Sequence, residues 1–558
     1  MTSAPKFLPQ TARGGRRVWA FAVVPLGFLA VFFVYPVVAI LGRGLMPDGS
    51  VDLSPLGEVA RDASLRDVVW FTVWQAALST VLTVLVALPG AYVLARIRFP
   101  GRSVVRALVT VPFVLPTVVV GSAFLSVLGA GGPLSGLDLD QSLTAILVAH
   151  VFFNYAVVVR VVGALWEHLD PRPEESARML GASHLRAFIA VTLPALRGAL
   201  AAAASIVFLF SFTSFGVILI LGGPHYSTLE TEIYRQTVEL FDLPVAAALT
   251  IVQLLAVLAL LAVSTTAQGR EASGLRLQGA AETARPPRGA GARMLLATNL
   301  AVMAALLGGP LAVLVARSFA TSGGPSLGFY RALGELRAGS TVFVPPVEAI
   351  RNSMVFGAVA TVIAVVVGGL AAVVLVSGGR GVPARLARAF DSVLMLPLGV
   401  SAVTVGFGFL IALDEPPLDL RSRPVLIPIA HALVAMPLVI RIMVPTLRAI
   451  DPHLRESAAT LGASPARVWR EVDLPVVART GLVAAGLAFA VSLGEFGATI
   501  FIARPDYPTL PVLIFRLLGQ PGTVNFGAAM AASAILMALT AIVVLVFDRL
   551  RLGTVGEF

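Results

Sequence analysis

Few residues in this sequence could do covalent chemistry, and they form no catalytic motif. The chain has 558 residues, six histidines and no cysteine, which excludes disulfides, thiolate nucleophiles and iron–sulfur ligation. Its single lysine, Lys6, stands outside any Gly-x-x-x-x-Gly-Lys phosphate-binding loop. The histidines lack the close spacing of a metal site, and no Gly-x-Ser-x-Gly nucleophile elbow is present. We expect no enzyme activity and no cofactor in this chain, so any ATP hydrolysis would need another polypeptide.

One carboxylate lies inside an apolar segment and is the candidate for a solute path. Glu495 stands between Gly494 and the pair Phe496-Gly497. Charged groups in a membrane are costly, which makes them functional candidates. Flanking glycines permit a local break in the helix, so the carboxylate either faces a path or caps amides exposed by the break. Both readings stay open from the sequence.

Other polar residues in apolar segments are predicted to be structural. Arg160 and Arg441 are expected to reach the membrane interface or to pair with an acid. His150 and His431 are expected to hydrogen-bond between helices rather than to bind a metal. The prolines of the third apolar segment in each half, Pro112, Pro116 and Pro397, are expected to bend it.

The elements that carry these residues are membrane helices. The chain is 57% hydrophobic and 13% charged, whereas soluble domains carry about 25% charged residues. We therefore predict an all-α membrane protein with about twelve transmembrane helices, each near the ~20 residues that a bilayer requires. The predicted spans are Val18–Leu41, Val68–Ala95, Ala107–Leu128, Leu143–Leu165, Leu196–Leu221, Val245–Thr266, Met294–Ala316, Asn352–Val376, Ser392–Leu413, Val425–Leu447, Thr480–Ala503 and Val524–Phe547.

The distribution of arginine predicts the orientation of these spans. The net charge is +10, and the basic residues are scattered between apolar runs with no compact basic domain, so we do not expect nucleic-acid binding. Cytoplasmic loops of membrane proteins carry the excess of Lys and Arg. Counting them predicts that both termini are cytoplasmic.

The sequence is internally duplicated at an offset of 281 residues. Residues 150–194 and 431–475 align without gaps with 16 identities in 45 positions. Each half has an even number of predicted spans, so the two six-helix repeats run parallel across the membrane. We predict a first half at residues 1–266, a flexible cytoplasmic linker at 267–293, rich in Arg, Gly, Ala and Pro, and a second half at 294–558.

The best-preserved stretch of the duplication lies outside the apolar segments. The first copy contains Glu175, Ser176, Ala177 and Gly181, and the second contains Glu456, Ser457, Ala458 and Gly462. An Asp-Pro pair before each copy suits a helix start. Each glycine suits the left-handed residue that ends a helix. We predict that each copy is a short helix, a turn and a second helix, exposed in the cytoplasm.

Glu-Ser-Ala, three residues, Gly, nine residues and Val-x-Leu-Pro resemble the EAA loop of binding-protein-dependent ABC importer permeases, and the resemblance covers nearly the whole chain. It implies that the chain is the membrane permease of a bacterial plasma-membrane importer. It also implies that two copies of a cytoplasmic ATPase, which carries ATP and magnesium, dock on the two loops. An extracytoplasmic binding protein would deliver a small-molecule substrate.

The substrate is less well determined by the residues. Fused two-half permeases of this length resemble those for thiamine and for ferric iron, and Ala149–Asn154 and Arg98–Gly101 are more similar to the thiamine type. Other solutes, such as phosphonates, remain alternatives. A proton-coupled secondary transporter and an uncoupled channel or scaffold are rival classes, and neither explains two matched cytoplasmic loops.

Overall fold

The computed structural model describes residues 19–46, 50–268, 283–335, 344–377, 384–414, 416 and 418–552. The secondary structure of this part is almost entirely helical, which confirms the predicted fold class. The helices of the first part of the chain are α1 (Trp19–Leu45), α2 (Ser54–Arg61), α3 (Ala63–Arg96), α4 (Arg102–Val114), α5 (Thr117–Leu128), α6 (Leu143–His168), α7 (Arg172–Met179), α8 (His184–Phe212), α9 (Gly216–Leu221), α10 (Leu229–Tyr234) and α11 (Leu243–Gln268).

The second part repeats much of this order. Its helices are α12 (Gly289–Phe319), α13 (Gly328–Ala332), α14 (Pro346–Ser377), α15 (Ala384–Met395), α16 (Ala402–Ala412), α17 (Leu426–Ala449), α18 (Pro452–Thr460), α19 (Ala466–Gly494), α20 (Thr499–Ile502), α21 (Leu510–Leu518) and α22 (Thr523–Leu552). Two short strands, β1 (Ala320–Thr321) and β2 (Gly324–Pro325), form an antiparallel hairpin after α12.

Ten helices of the described residues are long and apolar enough to cross a bilayer, and α4 with α5 makes an eleventh if the bent pair is one span. That pair bends by 102° at Leu115 and Pro116, so the bend expected from the prolines is confirmed there. The third predicted span of each half is broken into two helices. In the second half, a 3-10 turn at Leu396–Gly399 separates α15 from the short apolar α16.

The fifth predicted span of each half was wrong in its bounds. The long helices begin in the polar duplicated segment, at His184 and Ala466, and end at Phe212 and Gly494. A non-helical break then precedes α9 and α20. Hydropathy detects only the apolar part of a helix, so the polar first turns of α8 and α19 were not included.

Contacts divide the chain into two compact units. The first unit comprises Gly44–Glu335 and Ile514–Met537, and the second comprises Met1–Arg43, Leu336–Leu513 and Ala538–Phe558. Most of α1 therefore groups with the second copy of the repeat, and α12 groups with the first. The division of the sequence into halves at residues 266 and 294 stays a prediction about the duplication, because packing groups the helices differently.

Each unit has a core built around its longest helices. In the first unit, α3 packs against α6 and α8, and a Cβ added to Gly90 of α3 would lie 1.9 Å from the hydroxyl of Tyr155 on α6. In the second unit, α14, α17 and α19 meet through buried alanines that include Ala360, Ala435 and Ala484. Small residues let membrane helices approach closely, since lipid provides no hydrophobic drive between them.

Candidate functional site

The first copy of the motif forms a helix, a left-handed glycine and a second helix. The carboxylate of Asp170 accepts a hydrogen bond from the N–H of Arg172 at 3.0 Å, so α7 starts one residue later than Asp-Pro predicts. Gly181 has φ +95°, and the N–H of Ala182 donates to the carbonyl oxygen of Ala177 at 3.1 Å. This pattern satisfies carbonyls at the end of α7 and directs the chain into α8.

The second copy has the same geometry. Asp451 caps α18 by accepting from the N–H of His453 at 2.9 Å. Gly462 has φ +85°, and the N–H of Ala463 donates to the carbonyl oxygen of Ala458 at 3.0 Å. The predicted helix, turn and helix are thus confirmed in both copies. We call residues 170–186 and 451–467 the first and second docking segments, after the role that is proposed for them below.

Each docking segment presents an exposed leucine that sequence reasoning did not single out. Leu180 is 90% exposed and Leu461 is 88% exposed. Their N–H groups donate to the carbonyl oxygens of Ser176 and Ser457, at 3.1 and 3.0 Å, so the backbone beneath them is fixed. The signal available in the sequence was an identical Leu-Gly pair in two polar segments. Both leucines are therefore accessible at the surface of the chain, at the same position of the two copies.

The helices α7 and α18 are each joined to the start of the following long helix by a pair of side chains, and the pair differs between the two copies. Glu174 accepts a hydrogen bond from the Thr192 hydroxyl at 2.5 Å. At the duplicated positions, Arg455 donates to Asp473 at 2.7 Å. Both contacts end on π-helical turns, Phe188–Thr192 and Trp469–Asp473. The donor and acceptor are exchanged between the copies, and the link is retained.

The motif glutamates have different neighbours in the two copies. Glu175 forms an ion pair with Arg285 at 2.8 Å. Glu456 lies 3.3 Å from Nδ1 of His453 within its own segment. The two segments have the same backbone geometry, but their charged side chains are arranged differently.

His150 of α6 contacts the non-helical break that follows α8. Its Nδ1 is 2.9 Å from the Ser79 hydroxyl of α3, and its Nε2 is 2.9 Å from the Ser214 hydroxyl between α8 and α9. The side chain is 2% exposed. The predicted hydrogen bond between packed helices is therefore confirmed, and its second partner fixes the break.

His431 and Glu495 form the corresponding cluster in the second unit. Nδ1 of His431 is 2.7 Å from the Ser492 hydroxyl, and its Nε2 is 2.8 Å from the Thr499 hydroxyl. Glu495 lies 3.3 Å from the same Nε2. Its carboxylate accepts from the N–H groups of Ala498 and Thr499 at 2.8 and 3.1 Å, and from the Thr499 hydroxyl. The carboxylate thus caps the amides at the break, as one of the two sequence readings expected. A role in a solute path stays a prediction.

Two matched hydroxyls that the sequence analysis missed support short helices in each unit. The N–H of Leu229, at the start of α10, donates to the Thr72 hydroxyl at 2.9 Å. The N–H of Leu510, at the start of α21, donates to the Ser353 hydroxyl at 2.7 Å. Thr72 and Ser353 are 281 residues apart, so the duplication was the available signal.

Arg160 and Arg441 are both exposed, which agrees with a place at the protein surface.

Among the described residues, no group of three or more His, Cys, Asp or Glu side chains is placed to hold a metal ion. The duplication preserves the two docking segments, the two histidine clusters and the contacts of Thr72 and Ser353 in three dimensions.

Known proteins are similar to this chain over both copies of the repeat. A family profile described as "Binding-protein-dependent transport system inner membrane component" matches residues 79–270. The probable ABC transporter permease protein y4fN of Sinorhizobium fredii is 26% identical over 97% of this chain and 97% of its own length. The thiamine transport system permease protein of Brucella abortus is 30% identical over 86% of this chain and 87% of its own length. The protein of the same description from Escherichia coli is 29% identical over 83% of this chain and 85% of its own length.

Proposed function

The chain belongs to the binding-protein-dependent ABC importer permeases, multi-pass proteins of the bacterial inner membrane, and from this premise we propose that it imports thiamine. Support for the substrate comes from the relatives described as thiamine permeases, which align over most of both chains. The family implies an ATPase and a substrate-binding protein as partners. Because the chain belongs to this family, the alternatives of a proton-coupled secondary transporter and an uncoupled channel or scaffold are no longer needed.

The observation that carries the coupling to ATP is the pair of docking segments. Each is a rigid turn with a left-handed glycine and a leucine about nine-tenths exposed. Because the two backbones match, we propose that two copies of one ATPase bind them. On ATP binding, closure of the two ATPases would move the segments and, through α8 and α19, the helices that continue from them.

The orientation follows from the same proposal. Both docking segments face the cytoplasm, where ATP is available, and the excess of arginine agrees with this side. Both termini are then cytoplasmic. The binding protein delivers substrate from the opposite side.

We expect the purified chain to hydrolyse no ATP, because Lys6 lies outside any phosphate-binding loop and no cofactor is proposed for this chain. Hydrolysis should appear when the cognate ATPase is added, and ATP with magnesium should bind that subunit. The measurement is phosphate release from the permease in nanodiscs, with the ATPase alone as the control. ATP hydrolysis by a permease preparation that contains no ATPase subunit would contradict the expectation.

The substrate is tested by uptake into proteoliposomes that contain the permease, its ATPase and its binding protein. We expect accumulation of labelled thiamine that requires both ATP and the binding protein. Vesicles without ATP provide the baseline, and ferric iron offered under the same conditions is the competing substrate. Uptake of iron without uptake of thiamine would replace the proposed substrate and leave the permease class unchanged.

A further inference from the structure

The end of the segment that connects the two copies is ordered against the first docking segment. Residues 269–282 lie outside the described residues, but Thr283–Arg288 has a defined course before α12 begins at Gly289. Arg285 precedes two prolines, and a residue before proline favours an extended backbone. The flexibility of the linker at 267–293 stays a prediction, and Thr283–Arg288 is the described part of it that precedes α12. We call Thr283–Arg288 the strap.

The strap is held by backbone contacts to the end of α3. The N–H of Arg285 donates to the carbonyl oxygen of Arg96, and the N–H of Arg98 donates to the carbonyl oxygen of Arg285, each at 2.9 Å. The Thr283 hydroxyl donates to the carbonyl oxygen of Glu167 at 2.5 Å. Thr283 is 3% exposed and Ala284 is 6% exposed. These contacts position the strap without help from the Arg285 side chain.

The Arg285 side chain is consequently free to act at the surface. Its guanidinium pairs with Glu175 at 2.8 Å, and both side chains are substantially exposed. An exposed ion pair contributes little to stability, so folding does not explain the arrangement. Its larger effect is on the charge of the first docking segment, because the pair neutralises the motif glutamate.

The second docking segment provides the comparison within the same molecule. Glu456 has its described ionic contact with His453 alone, at 3.3 Å, and both of those side chains are largely exposed. Glu175 is paired with a guanidinium, whereas the neighbour of Glu456 is an imidazole. The second segment therefore presents its carboxylate beside a histidine, at the position where the first presents an ion pair with an arginine.

We propose that the strap is part of the first ATPase-binding surface, and that Arg285 acts there by pairing with the opposite charge at position 175, so that this part of the surface is neutral where an ATPase subunit binds. The inference rests on the proposed docking role of the two segments. Its consequence is that two identical ATPase subunits meet two surfaces of different charge. Arg285 is a positioning residue, acting through Glu175 and through the charge of the surface.

The test uses the full-length permease in nanodiscs and measures its apparent dissociation constant for the ATPase. Arg285→Glu places a second carboxylate beside Glu175, and we expect a fivefold to tenfold weaker association from the lost attraction and added repulsion. The exchanged pair Glu175→Arg with Arg285→Glu restores opposite charges and should recover most of the loss. Arg285→Gln, which only removes the charge, should weaken association less than Arg285→Glu.

The matched control is Glu456→Arg in the second segment, whose defect should not be recovered by adding Arg285→Glu. Wild-type association of Arg285→Glu, or an exchanged pair no better than Arg285→Glu, would overturn the proposal. Gly181→Val separates the two levels of inference. If it loses ATPase binding while Arg285→Glu does not, only the strap proposal fails; if neither variant changes binding, the docking role fails as well.

Discussion

Replacing both Gly181 and Gly462 by valine is expected to abolish ATP-driven uptake while the chain still inserts in the membrane. These glycines have φ +95° and +85°, a conformation that β-branched residues avoid. Each substitution should strain its segment by about 1–3 kcal/mol. Insertion should survive, because each spanning helix satisfies its own backbone hydrogen bonds.

The strain would act on the backbone and not on neighbouring side chains. An added Cβ at either glycine would meet no atom within 4 Å, so relaxation must come from the turn itself. That turn carries the hydrogen bonds from Ala182 and Ala463 back into α7 and α18. Its distortion would displace the exposed Leu180 and Leu461. Because about 1.4 kcal/mol corresponds to a tenfold change in an equilibrium constant, each single variant should weaken ATPase binding roughly tenfold.

Gly522→Val is the matched control for this pair. Gly522 has φ +108° and open space around its Cβ position, so valine imposes a similar strain outside the docking segments. We expect Gly522→Val to keep ATPase co-purification, which the double variant should lose. Wild-type co-purification and uptake by the double variant would mean that these segments are not the docking sites.

The docking segments could be predicted from the sequence because their geometry depends on local rules. An aspartate near a helix start, a glycine after its last turn and a serine before the next helix each act within a few residues. Ser183 and Ser464, which the sequence analysis did not name as caps, follow the same local rule by accepting from the N–H groups of Arg186 and Arg467. The duplication then provided an independent second copy of the same prediction.

The pairing of Arg285 with Glu175 could not be predicted in this way. The two residues are far apart in the sequence, and they meet only because α3, α6 and the strap converge. Composition described that region as flexible, while the Arg-Pro-Pro sequence favours the extended course that the strap adopts. The grouping of α1 with the second copy could not be predicted either, because the apolar surface of a helix does not specify the bundle against which it will pack.

The breaks after α8 and α19 could be predicted only in part from the sequence. Glycines beside Glu495 indicated a break, yet hydropathy extended both spans through it, because the residues on each side are apolar. The capping partners of Glu495 are its neighbours Ala498 and Thr499, and capping was among the sequence readings. Its contact with His431 requires α17 to pack beside the break, which no local rule determines.

Glu495→Leu is expected to destabilise the second unit by about 2–6 kcal/mol, because its buried carboxylate accepts hydrogen bonds from two backbone amides. The N–H groups of Ala498 and Thr499 would lose their acceptors inside a buried site, and an unsatisfied buried donor costs about 1–3 kcal/mol. Thermal unfolding of the permease in nanodiscs measures the loss. The control is Ser214→Ala, at the duplicated position, which removes a single hydrogen bond to His150 and should cost about 1 kcal/mol.

Glu495→Gln separates the capping role from a role in the solute path. The amide oxygen can accept from only one of the two N–H groups, so we expect a stability loss smaller than that of Glu495→Leu. Uptake is then compared per folded permease, after the stability loss has been measured. If Glu495 lines the path, uptake per folded molecule should fall; if it equals the parental rate, the path role is abandoned and capping accounts for the carboxylate. A melting temperature unchanged in Glu495→Leu would instead contradict the capping geometry, because two buried amides would then have lost their acceptor without cost.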